Sequence, residues 1–291
     1  MSSFSMKCVA LLLMTIDHIG KFIPNIPIYF RWIGRLAAPI FIFMCVYSMS
    51  YTHDRKKYIV RLYLANIAMV LIEWMLFSYF SSIWYKMPLE NNFFRTLFLL
   101  SILLNINYTK DKRKSILLIL AWQISGLIIC VCVSIFFPVS DFFVCNVLPA
   151  LLGNIFNTEG GLAIIILGLG MNKYKNNKLH FSLFYIVYSL FYLFNDLFNI
   201  IPRIAMYIPF NIFDRIDLTF IIMNYCIGFS TFWKSVSFEE LFTNYYQWMM
   251  CAALPLLLSY NKKQGRNCKY IFYLYYPIHL LILWMLSLII K

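Results

Sequence analysis

Charge is scarce in this chain. Only 13% of its 291 residues are charged and only 12 are Asp or Glu, whereas an ordinary soluble domain carries about a quarter charged residues. That scarcity excludes a soluble globular domain, and the 62% hydrophobic content and mean hydropathy of +0.73 point the same way. The eight cysteines show no CxxC spacing, Cys130 and Cys132 being the closest pair, so neither a zinc site nor a disulfide framework is indicated. The four histidines form no helical HxxxH or HxxE pattern, so no metal is expected. No small-residue cleavage site follows the first apolar run, which is therefore read as a retained helix and not as a signal peptide. No internal repeat is visible, nor a Gly/Pro-broken pair of helices in corresponding halves, which is the signature of many secondary transporters.

What the chain does have is apolar length. A spanning helix needs about 20 mostly apolar residues at about 1.5 Å each, and such stretches recur from end to end. The expectation is an all-α polytopic membrane protein, one bundle of about 9–11 transmembrane helices forming a single integral membrane domain over residues 1–291. The +13 net charge would suit nucleic acid, but fifteen of the 25 Lys and Arg residues fall in four short connections near residues 55–61, 110–114, 173–178 and 262–269. By the positive-inside rule these face the cytoplasm and set the topology, with the N-terminus inside, and no nucleic-acid partner is expected. The same connections also form a basic mouth able to attract a polyanion such as a nucleotide or coenzyme A.

Threading the chain through this topology sends residues 6–23 out, 30–51 back, 59–80 out, 93–107 back and 116–137 out. Residues 162–171 are short for the next return, which can begin upstream near Phe142; residues 181–201 then exit. Two apolar stretches, 217–233 and 242–260, follow where an odd number of crossings is required, so one of them is expected to re-enter or lie in the interface. Asp17 and His18 then sit side by side roughly 17 Å into the first span, where a charge costs roughly 2.5–3.5 kcal/mol on insertion scales. Arg35, Glu73 and Asp196 fall in the same outer half and His279 near the midplane of the last helix, so a polar cavity is expected at that depth. Bland roles remain open. Asp17 suits an i,i+4 pair with Lys21 or a pair with Arg35, Gly34 permits a close helix approach, Pro39 kinks its span, and His279 can be structural.

The stretches Met14-Thr15-Ile16-Asp17-His18-Ile19-Gly20 and Trp32-Ile33-Gly34-Arg35-Leu36-Ala37-Ala38-Pro39-Ile40-Phe41, then Thr52 with Arg55, Lys57, Tyr58, Arg61 and Leu62, resemble the TraX family of conjugal-transfer membrane proteins. The closing Phe272-Tyr273-Leu274-Tyr275-Tyr276-Pro277-Ile278-His279-Leu280 is similar to that family's last helix. The matches cover about a quarter of the chain, in order and at compatible separations; residues 77–269 are not aligned and can carry a different acceptor site. The resemblance implies an acetyl-CoA-dependent acyltransferase, the family's named activity being N-terminal acetylation of pilin, with a distant similarity to transmembrane acyltransferases. It implies an acyl-CoA donor, a peptide or glycan acceptor, and a multi-pass place in the inner or plasma membrane.

Acyl transfer needs a base for the acceptor's proton and a group that stabilises the oxyanion. His18 is the candidate base, or alternatively a covalent acyl carrier. Asp17 or a carboxylate from another helix would orient it, and Arg35 and His279 would serve the oxyanion or the acceptor. Arg55, Lys57 and Arg61 are candidates for the phosphates of coenzyme A, the two guanidiniums above all because they can hold phosphate in a bidentate fork. A proton-coupled secondary transporter and a non-catalytic component of a secretion or pilus machine are the competing readings.

Overall fold

The computed structural model describes residues 1–84, 88–89, 92–206, 226–229, 235–266 and 269–290. Its regular elements are all helical. In chain order they are α1 (Ser3–Phe22), α2 (Tyr29–Gly34), α3 (Ala37–Tyr51), α4 (Arg55–Tyr79), α5 (Ser81–Trp84), α6 (Phe93–Asn105) and α7 (Lys112–Phe136). There follow α8 (Leu148–Leu152), α9 (Gly161–Tyr174), α10 (Lys178–Phe198), α11 (Ile200–Met206), α12 (Glu240–Thr243), α13 (Leu254–Leu258) and α14 (Lys269–Ile289). Among the described residues, six helical stretches are long and apolar enough to cross a bilayer, α2 and α3 counting together as one, and four shorter apolar stretches accompany them. An all-α polytopic membrane protein is what this sequence builds.

The basic connections start helices in a repeated way. Asp54, Asp111 and Asn177 each accept a hydrogen bond from the backbone N–H three residues on, at Lys57, Lys114 and His180, over 3.0–3.1 Å. Those bonds satisfy donors that a helix start leaves open. One short polar cap followed by a cationic first turn thus launches α4, α7 and α10.

Interruptions also have local causes. Pro39 has no N–H to give the carbonyl four residues back, which is that of Arg35, and its ring crowds that carbonyl; the helix breaks at Arg35 and Leu36, between α2 and α3. The return expected near residues 162–171 is α9, 14 residues long. Upstream lie a π-turn at Phe143–Val147 and α8, which ends on Gly153 in the left-handed region at φ 63°. A side chain there would strain the backbone and meet Phe98 and Trp122. Of the two stretches of which one is expected to fail as a span, that over residues 242–260 is a chain of short pieces, α12, a 3-10 helix at Tyr246–Ala253 and α13. Its companion at 217–233 lies almost wholly outside the described residues. Broken apolar helices are therefore present in both halves of the chain.

The described residues group into two compact units. The first comprises Met1–Met44, Gly170–Pro209 and Ser230–Lys291, and the second Cys45–Leu169 and Phe210–Phe229. In the first, α1 packs on α2 and on α14, and the 3-10 helix packs on α10 and α2. In the second, α4 packs on α6, and the π-turn and α8 pack on α4 and α7.

Candidate functional site

Adjacent residues of a helix point about 100° apart, and α1 uses that angle to send Asp17 and His18 to different partners. Asp17 turns to α2. Both of its carboxylate oxygens accept from Arg35 Nη2, at 2.6 and 2.7 Å, and Arg31 Nη1 lies 2.9 Å from Oδ2 while donating to the Asp17 carbonyl at 3.0 Å. One carboxylate therefore holds two guanidiniums from successive turns of one short helix. Gly34 makes this approach possible. A Cβ there would stand 2.5 Å from Asp17 Cγ and nearer still to Cβ and Oδ1, so any side chain at 34 displaces the carboxylate. Of the two partners weighed for Asp17, Arg35 forms the pair; Lys21 Nζ lies over the Phe22 ring, 5.3 Å from its centroid.

The two arginines reach further. Arg31 Nε donates to Tyr246 Oη at 3.2 Å, Arg35 Nη1 donates to Gln247 Oε1 at 3.1 Å, and Trp32 Nε1 donates to the Phe242 carbonyl at 2.7 Å. The broken segment over residues 242–260 thus supplies polar partners to Arg31, Trp32 and Arg35.

His18 turns to α14 instead. Its Nδ1 lies 2.8 Å from Nε2 of His279, and both residues are buried, 3% and 6% exposed. His279 Nδ1 lies 2.8 Å from the Tyr275 carbonyl. A carbonyl can only accept, so His279 Nδ1 carries hydrogen. With His279 neutral, its Nε2 is then a lone pair, His18 Nδ1 must donate to it, and His18 Nε2 is left as the free lone pair of the chain. Among the described residues that nitrogen has no hydrogen-bond partner. One helical turn before, Thr15 donates its hydroxyl to the Leu11 carbonyl at 2.8 Å, so the Tyr275 hydroxyl, 2.7 Å from Thr15 Oγ1, donates to it. Tyr275 therefore fixes His279 by its carbonyl and by its ring, centroids 5.0 Å apart, and ties α14 to α1 by its hydroxyl.

The structure thus brings Asp17 together with Arg35, and His18 together with His279, on neighbouring residues of α1, all within the first unit. The hydrogen-bond partner of His18 is His279, not Asp17. Asp196 belongs to this unit too, on the buried face of α10 with Tyr185, Tyr188 and Tyr192. Glu73 and the three coenzyme A candidates belong to the second unit. Arg55 donates to the Met49 carbonyl at 3.1 Å and stacks on Tyr108, 3.5 Å from the ring centroid. Lys57 Nζ pairs with Asp54 at 3.2 Å, and its backbone N–H holds the Asp54 carboxyl below the usual carboxylate range. Arg61 keeps a buried Nε with no hydrogen-bond partner among the described residues.

Arg31, Tyr246, Gln247, Tyr275 and Thr15 were not read from the sequence as site residues. Only Arg31 carried a usable signal, a second arginine one turn before Arg35 in a span.

A buried carboxylate clasped by two arginines and a buried imidazole pair, carried on helices of membrane-spanning length, define a polytopic α-helical membrane protein with a polar intramembrane site. The chain belongs to the TraX family: the family profile, described as TraX protein, matches residues 2–287. No curated protein and no solved structure matches it. Membership points to a membrane protein associated with conjugal transfer.

Proposed function

We propose that this protein is a membrane-embedded acyltransferase that moves an acetyl or other short acyl group from acetyl-CoA to an amine or hydroxyl of a peptide or glycan acceptor. The observation that carries the reading is the directed imidazole pair, which leaves His18 Nε2 as a lone pair in a buried place. Membership in a family named for a pilin acetylase-like protein supports the choice of acyl transfer.

In this reading the acceptor nitrogen or oxygen attacks the thioester carbon and gives its proton to His18 Nε2. The imidazolium so formed keeps its Nδ1–H on the His279 lone pair, which stabilises the charge as it develops. The carbon–sulfur bond then breaks and the proton passes from Nε2 to the coenzyme A thiolate, so atoms and charge balance. If His18 instead carries the acyl group, the same Nε2 is the nucleophile. Asp17 keeps the two guanidiniums in place, and with His18 on the next residue their charge favours a developing oxyanion. Arg55 and Arg61 are proposed to contact the donor's phosphates from the basic connection, with Lys57 adding charge there. The site of action is proposed as the inner or plasma membrane.

The test incubates the purified protein in liposomes with radiolabelled acetyl-CoA and a panel of peptide and glycan acceptors, for wild type, His18→Ala and His279→Ala. Transfer that is lost in His18→Ala and reduced in His279→Ala supports the reading. Absence of transfer and of coenzyme A release for every acceptor, with solute uptake in its place, overturns it.

A further inference from the structure

The second unit holds a polar cluster that the reaction above does not use. Arg95 and Asn92 open α6, three residues apart on one face, and are 3% and 6% exposed. Asn92 occupies the N-cap position, where an Asn side-chain oxygen ordinarily accepts from a first-turn N–H. Here it makes no such bond; the Arg95 N–H goes to the Asn92 main-chain carbonyl at 3.2 Å. Its Nδ2 instead donates to the Asn66 carbonyl and to Asn66 Oδ1, at 3.1 and 3.0 Å. Asn66 Nδ2 in turn donates to the Ala150 carbonyl at 2.9 Å, which fixes the Asn66 amide. Rotating the Asn92 amide would set oxygen against two oxygens, so Asn92 Oδ1 is the atom left over. Among the described residues it is buried without a donor.

Arg95 is held with equal definition. Its Nη1 donates to the Asn146 carbonyl at 3.4 Å and its Nη2 to the Asn157 carbonyl, both on the irregular backbone around the π-turn and the left-handed Asn157 at φ 52°. Its Nε–H is buried with no acceptor among the described residues. Glu73 on α4, 2% exposed, exerts an electrostatic pull on the guanidinium. Buried polar atoms without partners are rare because the lost hydration is not repaid, and this cluster sets one such donor and one such acceptor on a single helical turn.

We propose that the first turn of α6 is a binding subsite for an uncharged secondary carboxamide, whose carbonyl accepts from Arg95 Nε–H and whose N–H donates to Asn92 Oδ1. A group with only a donor or only an acceptor would leave one atom unsatisfied, and a neutral amide meets both without adding an ion to a buried place. Two sources offer such an amide, the peptide backbone of an acceptor and the pantetheine arm of an acyl donor. The subsite stands independently of acyl transfer, because binding there is measured with no reaction.

The test uses saturation-transfer NMR titrations of the full chain in detergent, without acetyl-CoA. The probes are N-acetylalanine N′-methylamide, its all-ester counterpart methyl O-acetyllactate, and pantetheine. Wild type should bind at least one amide probe, and the ester about tenfold more weakly than the dipeptide amide where the peptide is the ligand. Binding of the dipeptide assigns the peptide source, and binding of pantetheine alone assigns the donor's arm. Asn92→Leu should remove the preference of amide over ester, and Arg95→Lys, which keeps the charge beside Glu73, should weaken both. Where a variant fails to fold, the comparison on wild type decides alone for the peptide, and the competition of pantetheine against its bis-ester analogue decides for the arm. The proposal is overturned if no amide probe binds, if ester and amide bind alike on wild type, or if a folded Asn92→Leu keeps the preference.

Discussion

Replacing Asp17 by Asn tests the division of labour on α1. The substitution keeps size and shape but removes the one carboxylate that Arg31 and Arg35 share, at 2.9 and 2.6 Å. The pair side chains are only 13–22% exposed, so water recovers little of the loss, and unmaking a buried ion pair from one side costs about 3–5 kcal/mol. The Asn side chain still accepts one hydrogen bond, which places the expected loss near the lower end, about 3 kcal/mol. Reversible unfolding in mixed micelles measures it. Arg35→Gln alone should cost less, because Arg31 still faces the carboxylate, and the Asp17/Arg35 double variant should show coupling of about 1 kcal/mol or more. His18 does not hydrogen-bond Asp17, so the folded Asp17→Asn protein should keep its general base and lose only the part of the rate that depends on the placed guanidiniums, severalfold at most. An Asp17→Asn protein of wild-type stability without activity would refute the reasoning, since Asp17 would then act in the chemistry itself.

Gly34→Ala should destabilise by about 1–3 kcal/mol through overpacking against Asp17, read as a shift in the same unfolding curve. Tyr275→Phe removes the Thr15 bond but leaves the ring and the carbonyl on His279; it should lower kcat severalfold with KM for acetyl-CoA unchanged, measured by steady-state transfer. Arg55→Lys loses the fork and the stacking on Tyr108, and should raise KM for acetyl-CoA about tenfold with little change in kcat. The Asp54 carboxyl is depressed in the folded state, so the cap of α4 is present above the ordinary carboxylate pKa and is lost as pH falls through the lowered value; Asp54→Ala should abolish that acid-side loss in a pH series of unfolding curves.

Much of the ionic geometry was legible because intramembrane charges are few and must find one another. Asp17 could be matched to Arg35, and Gly34 read as the small residue at their approach, from type and spacing. The direction of His18 was not legible, since adjacency in sequence suggests a partnership with Asp17 that the 100° turn of the helix forbids. Its actual partner lies 261 residues away on α14, and the tautomer chain depends on a backbone carbonyl, Tyr275, which no side-chain pattern reveals. Tyr246 and Gln247 were hidden for another reason. They sit in a segment whose apolar composition fits a span, while its 3-10 geometry places their polar groups against α2. The Asn92–Arg95 cluster was hidden because single Asn residues in a chain rich in Asn carry no signal until the breaks at Pro149 and Gly153 turn free carbonyls toward them.

The central claim is that His18 Nε2 is the reacting nitrogen. Transfer of radiolabelled acetyl from acetyl-CoA by His18→Gln, His18→Ala and wild type, in liposomes at matched folded protein, tests it most directly. Loss of at least about a hundredfold in rate for both variants, with unfolding midpoints near wild type, is the predicted result. Wild-type rates in either folded variant would contradict it.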